Sequence, residues 1–283
     1  MSWQLLTAIS VLFLSISVLL QRVLLHRYKV DQYAYVVLFQ ATVGIILCVV
    51  AAIVGFSLPS IQTLLIPALI AMLSFGVGHI MYARTLKLVE PSVFSVLFAT
   101  QAVWIMLIGI ALFNESLTAI QIAGTVLIFA SVAMLAGKYR SLIANKGTMY
   151  GLVTGALFGV AITSWSYVGR HTDGLSWAAI SFVGTALIVV LLHPSSIRKV
   201  RPLLTGKILA RFVVLGTVYG AGSLAMLFAY KYGTFAEVTP LRQTSIIVTV
   251  VLSLAFFASD RQNIRKKLFA AALCCAGVVL IVV

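Results

Sequence analysis

Apolar runs of about twenty residues, separated by short polar joints, repeat along the whole chain. A bilayer core about 30 Å thick needs roughly 20 apolar residues in a helix, so each run is long enough to cross it. Transmembrane β-strands alternate apolar and polar residues, which these runs do not. We therefore predict an all-α integral membrane protein of ten transmembrane helices. The predicted spans lie near Trp3–Leu20, Tyr33–Val54, Leu64–Ala83, Ser92–Leu112, Ala119–Gly137, Thr148–Val168, Ser176–His193, Ile208–Tyr230, Glu237–Ala258 and Leu268–Val283.

The composition supports this prediction and excludes several function classes. Hydrophobic residues make up 62% of the 283 residues and charged residues only 9%, far from the composition of soluble proteins. Ten spans and their turns leave no room for a soluble domain. A receptor with a folded ectodomain, a soluble enzyme on one anchor and a nucleic-acid binder are therefore excluded, despite the net charge of +14.

The two groups of five spans correspond when the second is shifted back by 144 positions. Gly76–His79 then falls on Gly220–Ser223, and Thr85–Leu88 falls on Ala229–Tyr232. Since each half contains an odd number of helices, the second copy enters the membrane from the opposite side. We therefore predict two inverted five-helix repeats. The repeats are residues 1–143 and 144–283.

Several motifs of the chain resemble those of the EamA-type transporters of the drug/metabolite transporter superfamily. In the first half Thr85–Leu88, Asn114–Thr118 and Gly124 follow that family's order Ala-Leu-Lys-Tyr, Gly-Glu-Arg-Leu-Thr and Gly. In the second half Ala229–Tyr232 matches, whereas Ser259–Gln262 stands in place of the acidic turn. The resemblance covers the whole chain and implies ten helices in two halves that form an exporter or permease for amino acids or related metabolites.

Three departures from the superfamily's patterns bear on the substrate. Ala102 and Ile246 stand where the family has a proline in the fourth and ninth helices. The first helix contains no acid, whereas the small four-helix multidrug exporters of the superfamily use a glutamate there. A cationic-drug antiporter of that kind is therefore disfavoured.

The distribution of cations predicts an orientation, because Lys and Arg in short loops favour the cytoplasmic side. The joints after odd-numbered helices carry sixteen of the twenty cations, and the opposite side carries Arg170 and Lys231. Both termini are therefore predicted outside, although the resemblance implies termini in the cytoplasm and a basic loop where Gly55–Ser60 is uncharged. The sixteen cations are Arg22, Arg27, Lys29, Arg84, Lys87, Lys138, Arg140, Lys146, Arg198, Lys199, Arg201, Lys207, Arg261, Arg265, Lys266 and Lys267.

Polar and aromatic side chains far from the helix ends are the candidate substrate-binding residues, because polar groups at membrane depth are costly. A pocket with aromatic walls and a few amide and cationic donors suits a small polar or amphipathic organic solute. His79 and Tyr82 share one helix face, as do Gln101 and Trp104. The candidates are Gln40, His79, Tyr82, Gln101, Trp104, Trp165, Tyr219, Arg242 and Gln243.

These candidates also have structural interpretations. Glutamines such as Gln40 and Gln101 hold membrane helices together by hydrogen bonds, and Trp104 and Trp165 are residues typical of packing or of the membrane interface. His79 could couple transport to protons, or it could be a packing residue.

Arg242 is the sharpest signal, because a guanidinium group does not lose its charge and needs a partner. Its predicted position is about two turns into the ninth helix, after Pro240. Facing the cavity, it would favour a carboxylate or phosphate. The alternatives are extension to the nearby interface or pairing with Glu237.

Other charged and small residues are assigned to structure. Lys87 and Glu90 have the spacing of an ion pair. Two stripes of glycine at every fourth position predict close helix contacts. The glycines are Gly151, Gly155 and Gly159 in the sixth helix and Gly216 and Gly220 in the eighth.

The leading hypothesis is a secondary transporter in the inner cell membrane that moves a small organic metabolite, an amino acid or related solute, by alternating access. A flippase for a lipid-linked or nucleotide-activated sugar is the alternative. A membrane-embedded enzyme is disfavoured, because the sequence has no H-E-x-x-H, no G-x-S-x-G and no paired acids at catalytic spacing. We expect no cofactor, metal or nucleic acid, and a monomer or homodimer.

Overall fold

Helices form the regular secondary structure of the described residues. The structure is a computed structural model that describes residues 2–57, 64–113, 118–136, 145–204, 206–232, 238, 241–242 and 244–282. The helices are α1 (Trp3–Arg22, continued by a π-helical turn, Val23–Arg27), α2 (Gln32–Val54), α3 (Leu65–Leu88), α4 (Pro91–Ala99), α5 (Gln101–Phe113), α6 (Ala119–Ala136), α7 (Lys146–Arg170), α8 (Gly174–Leu192), α9 (Ser195–Val200), α10 (Gly206–Tyr232), α11 (Ser245–Phe256) and α12 (Ile264–Val282).

Each of the ten predicted spans overlaps at least one of these helices. Seven helical segments of the described residues are long and apolar enough to cross a membrane, and Ala119–Leu135 and Ser245–Phe256 are shorter apolar helices. The all-α membrane class is therefore confirmed. The seven segments are Trp3–Arg27, Gln32–Val54, Leu65–Leu88, Pro91–Gly109, Lys146–Gly169, Gly174–Leu192 and Gly206–Ala229.

Short polar side chains set several helix starts. Asp31 and Asp173 accept backbone N–H groups at the first turns of α2 and α8, and Asn145 does so for α7. Pro91 occupies the first position of α4, where its missing N–H costs nothing. Asp31 and Asp173 therefore cap equivalent helices of the two halves, 142 positions apart.

The fourth predicted helix is interrupted at Thr100, which separates α4 from α5. The backbone N–H and the hydroxyl of Thr100 both bond to the Leu97 carbonyl, at 3.2 and 2.7 Å. Thr244 repeats this arrangement on the Leu241 carbonyl, at 3.2 and 2.6 Å. A hydroxyl that takes a carbonyl three residues back competes with the helical ladder, so both helices break at positions 144 apart.

The second interruption corrects the predicted ninth helix. That helix was predicted as continuous over Glu237–Ala258, with Arg242 two turns inside it. Val238, Leu241 and Arg242 are helical, and the helix resumes at Ser245 after the Thr244 break, so Arg242 lies just before that break and not inside one continuous helix.

Each half packs mainly on the other half. Helix α1 packs on α10 and α11, and α3 and α5, which are the counterparts of α10 and α11 in the first half, pack on α7. In the same way α2 packs on α10 and α3 packs on α8. The pairs α2 with α8 and α6 with α12 join counterparts directly. Exchanging the halves therefore reproduces these contacts.

The equivalence extends to individual residues. A Cβ atom on Gly78 would lie 3.1 Å from the Phe158 ring, and one on Gly222 would lie 3.1 Å from Leu14. Both members of the second contact are related to the first by 144 positions. Helix α7 is therefore the equivalent of α1, and α10 is the equivalent of α3, each at an offset of 144 positions.

The second helices of the two halves are related by 142 positions instead. Gly216 packs against Thr42, and Met72, which is 144 positions before Gly216, packs against Gly184. Gly184 lies 142 positions after Thr42, in agreement with the two aspartate caps. The residue of α8 that is equivalent to a residue of α2 is therefore found 142 positions later in the chain.

The predicted glycine stripe of the sixth helix lies in a close helix contact. Cβ atoms on Gly151 and Gly159 would lie 2.7 Å from Leu97 and 2.5 Å from Trp104, and one on Gly155 would meet Thr100. Helix α7 therefore approaches α4 and α5 closely.

The described residues of the joints after the odd-numbered helices meet at one end of the bundle, which we call the basic end. Lys199 Nζ lies 2.9 Å from Asp31 Oδ2 and ties the α9 segment to the start of α2. Burial by itself raises the pKa of Asp31. The hydrogen bonds from Lys199 and from two backbone N–H groups outweigh burial, so the pKa of Asp31 lies below its ordinary value.

A second ion pair at the basic end corrects a predicted one. Glu90 pairs with Lys267 of α12 and not with the predicted partner Lys87. The Lys267 side chain is almost fully buried. Lys87 instead donates a hydrogen bond of 3.5 Å to Gln32. The turn between α3 and α4 directs Glu90 away from its own helix, so sequence spacing did not identify its partner.

Candidate functional site

A hydrogen-bonded polar network lies between the first three helices. The Tyr35 hydroxyl donates to Gln21 Oε1 at 2.5 Å, and Gln21 Nε2 donates to Ser17 Oγ at 3.4 Å. Gln21 also interacts with the Tyr82 hydroxyl. All four side chains are buried. We call Gln21, Tyr35 and Tyr82 the phenol set.

The equivalent positions of the second half carry Trp165, Trp177 and Met226, which we call the indole set. Trp177 Nε1 donates to the Trp165 carbonyl at 3.0 Å, and Trp165 Nε1 donates to Ser181 Oγ at 2.9 Å. Trp177 is equivalent to Tyr35, and Trp165 is equivalent to Gln21, so the same two positions are hydrogen-bonded in both halves. The acceptor is the Gln21 side chain in the first half and the Trp165 backbone carbonyl in the second. The two repeats therefore keep one contact and change its chemistry.

His79 lies among aromatic rings beside the phenol set. Its ring centroid is 4.8 Å from Phe158, 5.7 Å from Phe39 and 6.0 Å from Tyr82. Nδ1 lies 2.8 Å from the Phe75 carbonyl, which can only accept, so Nδ1 carries the proton. The predicted shared face of His79 and Tyr82 is confirmed.

Tyr219 and Arg242 bring the second half to the same region. The Tyr219 ring lies 4.9 Å from Phe39 and 5.9 Å from Phe182. Its hydroxyl interacts electrostatically with Tyr35 and with Arg242. Tyr219 and Arg242 are both half-buried. The structure therefore brings Tyr82, His79, Tyr219 and Arg242 together.

Gln40 and Gln101 each have a buried amide atom without a hydrogen-bond partner, Nε2 of Gln40 and Oε1 of Gln101. Gln101 directly follows the Thr100 break. Gln243 lies outside the described residues. An unpaired buried amide is costly, so both glutamines are suited to gaining a partner from a bound molecule.

The two predicted tryptophans differ in position. Trp165 is half-buried within the indole set, whereas Trp104 is 42% exposed on the outside of the bundle. The structure does not bring Trp104 to the other candidates. The helix spacing predicts that Trp104 and Gln101 share one face, but it does not reveal that Trp104 is exposed where α5 packs against Gly159 of α7.

The sequence prediction missed Gln21, Tyr35 and Trp177. The first span was predicted to end at Leu20, which left Gln21 in a joint, but the helix continues to Arg27. Trp165, a predicted candidate, lies 144 positions after Gln21. Applying the repeat offset to Trp165 could therefore have identified Gln21.

A cavity of about 280 Å³ opens at the basic end, away from these residues. None of the nine predicted candidates lines it. Its lining residues are Leu88, Val89, Glu90, Val93, Leu97, Val132, Leu135, Asn145 and Thr148.

Comparison with known proteins identifies the family. Residues 1–137 and 145–283 each match the EamA-like transporter family. The chain belongs to this family. The EamA-like family consists of transporters and is not enzymatic, so the protein is a multi-pass membrane transporter, as the sequence predicted. The repeat boundary between residues 143 and 144 stays a prediction.

Individual relatives agree with this assignment. An uncharacterized transporter of Archaeoglobus fulgidus is 25% identical to this EamA-like chain over 205 residues, which are 72% of this chain and 71% of the relative. A protein of known crystal structure shares the fold with a TM-score of 0.61 at 17% identity, over 98% of this chain and 96% of that chain.

Proposed function

We propose that this EamA-like transporter moves a small organic metabolite, an amino acid or a related solute, out of the cell by alternating access. Ten membrane helices form two inverted repeats, residues 1–143 and 144–283, which rock about a central site. The protein acts in the inner cell membrane.

The packing of each half on the other is the observation that carries this proposal. Two copies of one shape, joined mainly across the halves, have an interface at which one half can move against the other. Both ion pairs of the basic end, Lys199 with Asp31 and Lys267 with Glu90, also join opposite halves. The structure is therefore suited to a state that is closed at the basic end.

The site proposed for the solute is enclosed by that interface. Tyr82 and His79 come from the first half, and Tyr219 and Arg242 come from the second. Gln40 adds a buried N–H group without a partner. Relative movement of the halves would separate these groups and expose them to one side.

The basic end faces the cytoplasm in this proposal, because it gathers most of the cations. Both termini then lie outside. Fusions of alkaline phosphatase and of a fluorescent protein at Val283 test this. An active phosphatase is expected, and a fluorescent, phosphatase-silent terminus would reverse the orientation.

Transport is tested by reconstituting the purified protein into sealed vesicles that are preloaded with a mixture of amino acids and related metabolites. We expect uptake of one labelled component against the same unlabelled component inside. Release of a chemically changed product by protein in detergent would contradict a transporter.

Alternating access is tested by linking the halves at the basic end. In a background in which Cys48, Cys274 and Cys275 are replaced by Ala, the pair Asp31→Cys and Lys199→Cys is joined by a short reducible cross-linker. Transport should stop on cross-linking and return on reduction, and the single variants serve as controls. Full transport by the cross-linked protein would refute rocking at this end.

A further inference from the structure

We infer that Arg242 binds an acidic group of the transported solute, a carboxylate or a phosphate, with the Tyr219 hydroxyl beside it. This inference rests on the proposed transport function and specifies its substrate class. It depends on the direction in which Arg242 points, on its lack of a partner among the described residues and on the distribution of acids.

The repeat indicates the direction in which Arg242 points. Phe98 occupies the equivalent position of the first half, 144 residues earlier. Its ring lies 4.8 Å from Phe158 and 5.8 Å from Tyr82, inside the bundle. Arg242 lies within electrostatic range of Tyr219, whose ring packs 4.9 Å from Phe39 in the same aromatic region. The guanidinium group therefore faces the interior and not the lipid.

Arg242 has no hydrogen-bond or ion-pair partner among the residues that the structure describes. A guanidinium group keeps its charge, and an unpaired charge inside a membrane protein is strongly unfavourable. A solute with an acidic group would satisfy it by a charge-assisted, bidentate hydrogen bond. Arg242 is half-buried, so an incoming solute can reach it.

The three acids whose side chains the structure describes lie away from Arg242, and Glu237, its alternative partner, lies outside the described residues. Asp31 and Glu90 pair with cations at the basic end, and Asp173 caps α8. The Arg242 guanidinium and the Tyr219 hydroxyl beside it can both donate hydrogen bonds. This distribution favours anions and zwitterions over cations.

Equilibrium binding in detergent tests the inference without requiring transport. The probes share one alkyl chain: hexanoate, hexylphosphonate, 6-aminohexanoate, hexanol and hexylamine. Each is measured with the wild type, Arg242→Gln, Arg242→Lys and Tyr219→Phe. The control is Arg211→Gln, because Arg211 lies over the Tyr28 ring at the basic end, 4.3 Å from its centroid.

We expect Arg242→Gln to weaken hexanoate or hexylphosphonate binding by about tenfold or more and to leave hexanol unchanged. Arg242→Lys should lose part of this preference, since an ammonium does not form the bidentate pair. Tighter binding of hexanoate than of hexylphosphonate would identify a carboxylate as the acidic group of the natural solute, and the reverse order would identify a phosphate. Arg211→Gln should behave like the wild type.

Equal binding of all five probes by the wild type and Arg242→Gln would overturn the inference. Wild-type binding of hexylamine as tight as that of hexanoate would also overturn it. If Arg242→Gln does not fold, the ratio of hexanoate to hexanol affinity in Arg242→Lys and Tyr219→Phe decides, and an unchanged ratio refutes the inference. Anion binding in detergent without transport in vesicles would refute the proposed function and leave the anion site standing.

Discussion

The phenol set and the indole set occupy equivalent positions of two copies of one fold, yet they hold their helices together differently. In the phenol set the Tyr35 hydroxyl bonds to the side chain of Gln21. In the indole set Trp177 bonds to the backbone of Trp165. A bond to a side chain can re-form in another rotamer, whereas a bond to a helix backbone fixes the indole to that helix. The scaffold is symmetric, but its chemistry is not.

This difference leads us to expect that the indole set contributes more to stability and the phenol set more to transport. The first residues to test are those that are fully buried in each set, Trp177 and Tyr35.

The largest effect is expected from Trp177→Ala. Removing a fully buried indole leaves a cavity and loses its hydrogen bond, which costs about 3 kcal/mol or more. The measurement is the free energy of unfolding of the purified protein. Trp104→Ala is the matched control, because Trp104 is 42% exposed and should cost far less. Equal losses in both variants would show that the indole set has no special role in packing.

A smaller loss is expected from Gln21→Leu, which leaves the buried Tyr35 hydroxyl without its acceptor and costs about 1–3 kcal/mol. Adding Tyr35→Phe removes the unsatisfied hydroxyl, so the double variant should recover part of the stability. Transport should fall in all three variants. Additive losses in the double-mutant cycle would show that the two side chains are not coupled.

His79→Gln tests the group beside the phenol set, at a cost of about 1 kcal/mol for the lost bond to Phe75. Because the ring lies among aromatic side chains and its Nδ1 proton is held by a carbonyl, we expect the pH optimum of transport to stay unchanged. A shifted optimum would assign proton coupling to His79, which stays a prediction until then.

The smallest effect is expected at the basic end, from Asp31→Asn, which keeps the capping oxygen and removes the charge. The pair is partly exposed, with 46% of the Lys199 side chain and 29% of the Asp31 side chain accessible, so the loss should be at most about 1 kcal/mol. The pKa of Asp31 in the folded protein lies below its ordinary value of 3.8. The contribution is therefore present above that pH and disappears as the pH falls through the folded pKa.

The comparison variant is Lys199→Met, which should give the same loss at neutral pH. Thermal unfolding of both variants and the wild type from neutral to acidic pH is the measurement. A difference that grows in acid would contradict this assignment of the pair.

Apolar run length predicted the ten helical positions, and the offset of 144 found at Gly76–His79 predicted equivalences that hold between side chains of the folded protein. The direction of side chains was less predictable. Helices surrounded by lipid and by other apolar helices are apolar on every face, so periodicity does not separate the inner face from the outer. Trp104 was therefore grouped with central residues although it faces outward.

The sequence by itself predicted the membrane class, the helix positions, the duplication and the concentration of cations in alternate joints, because these depend on run length, on repeated motifs and on where charged residues fall along the chain. Only the tertiary structure decided the breaks at Thr100 and Thr244 and the partners of Glu90 and Gln21. It alone also showed how Phe98 and Arg242 become equivalent positions with different chemistry. These features depend on contacts between residues far apart in the chain, and hydrogen bonds and close packing form only once the two halves have met.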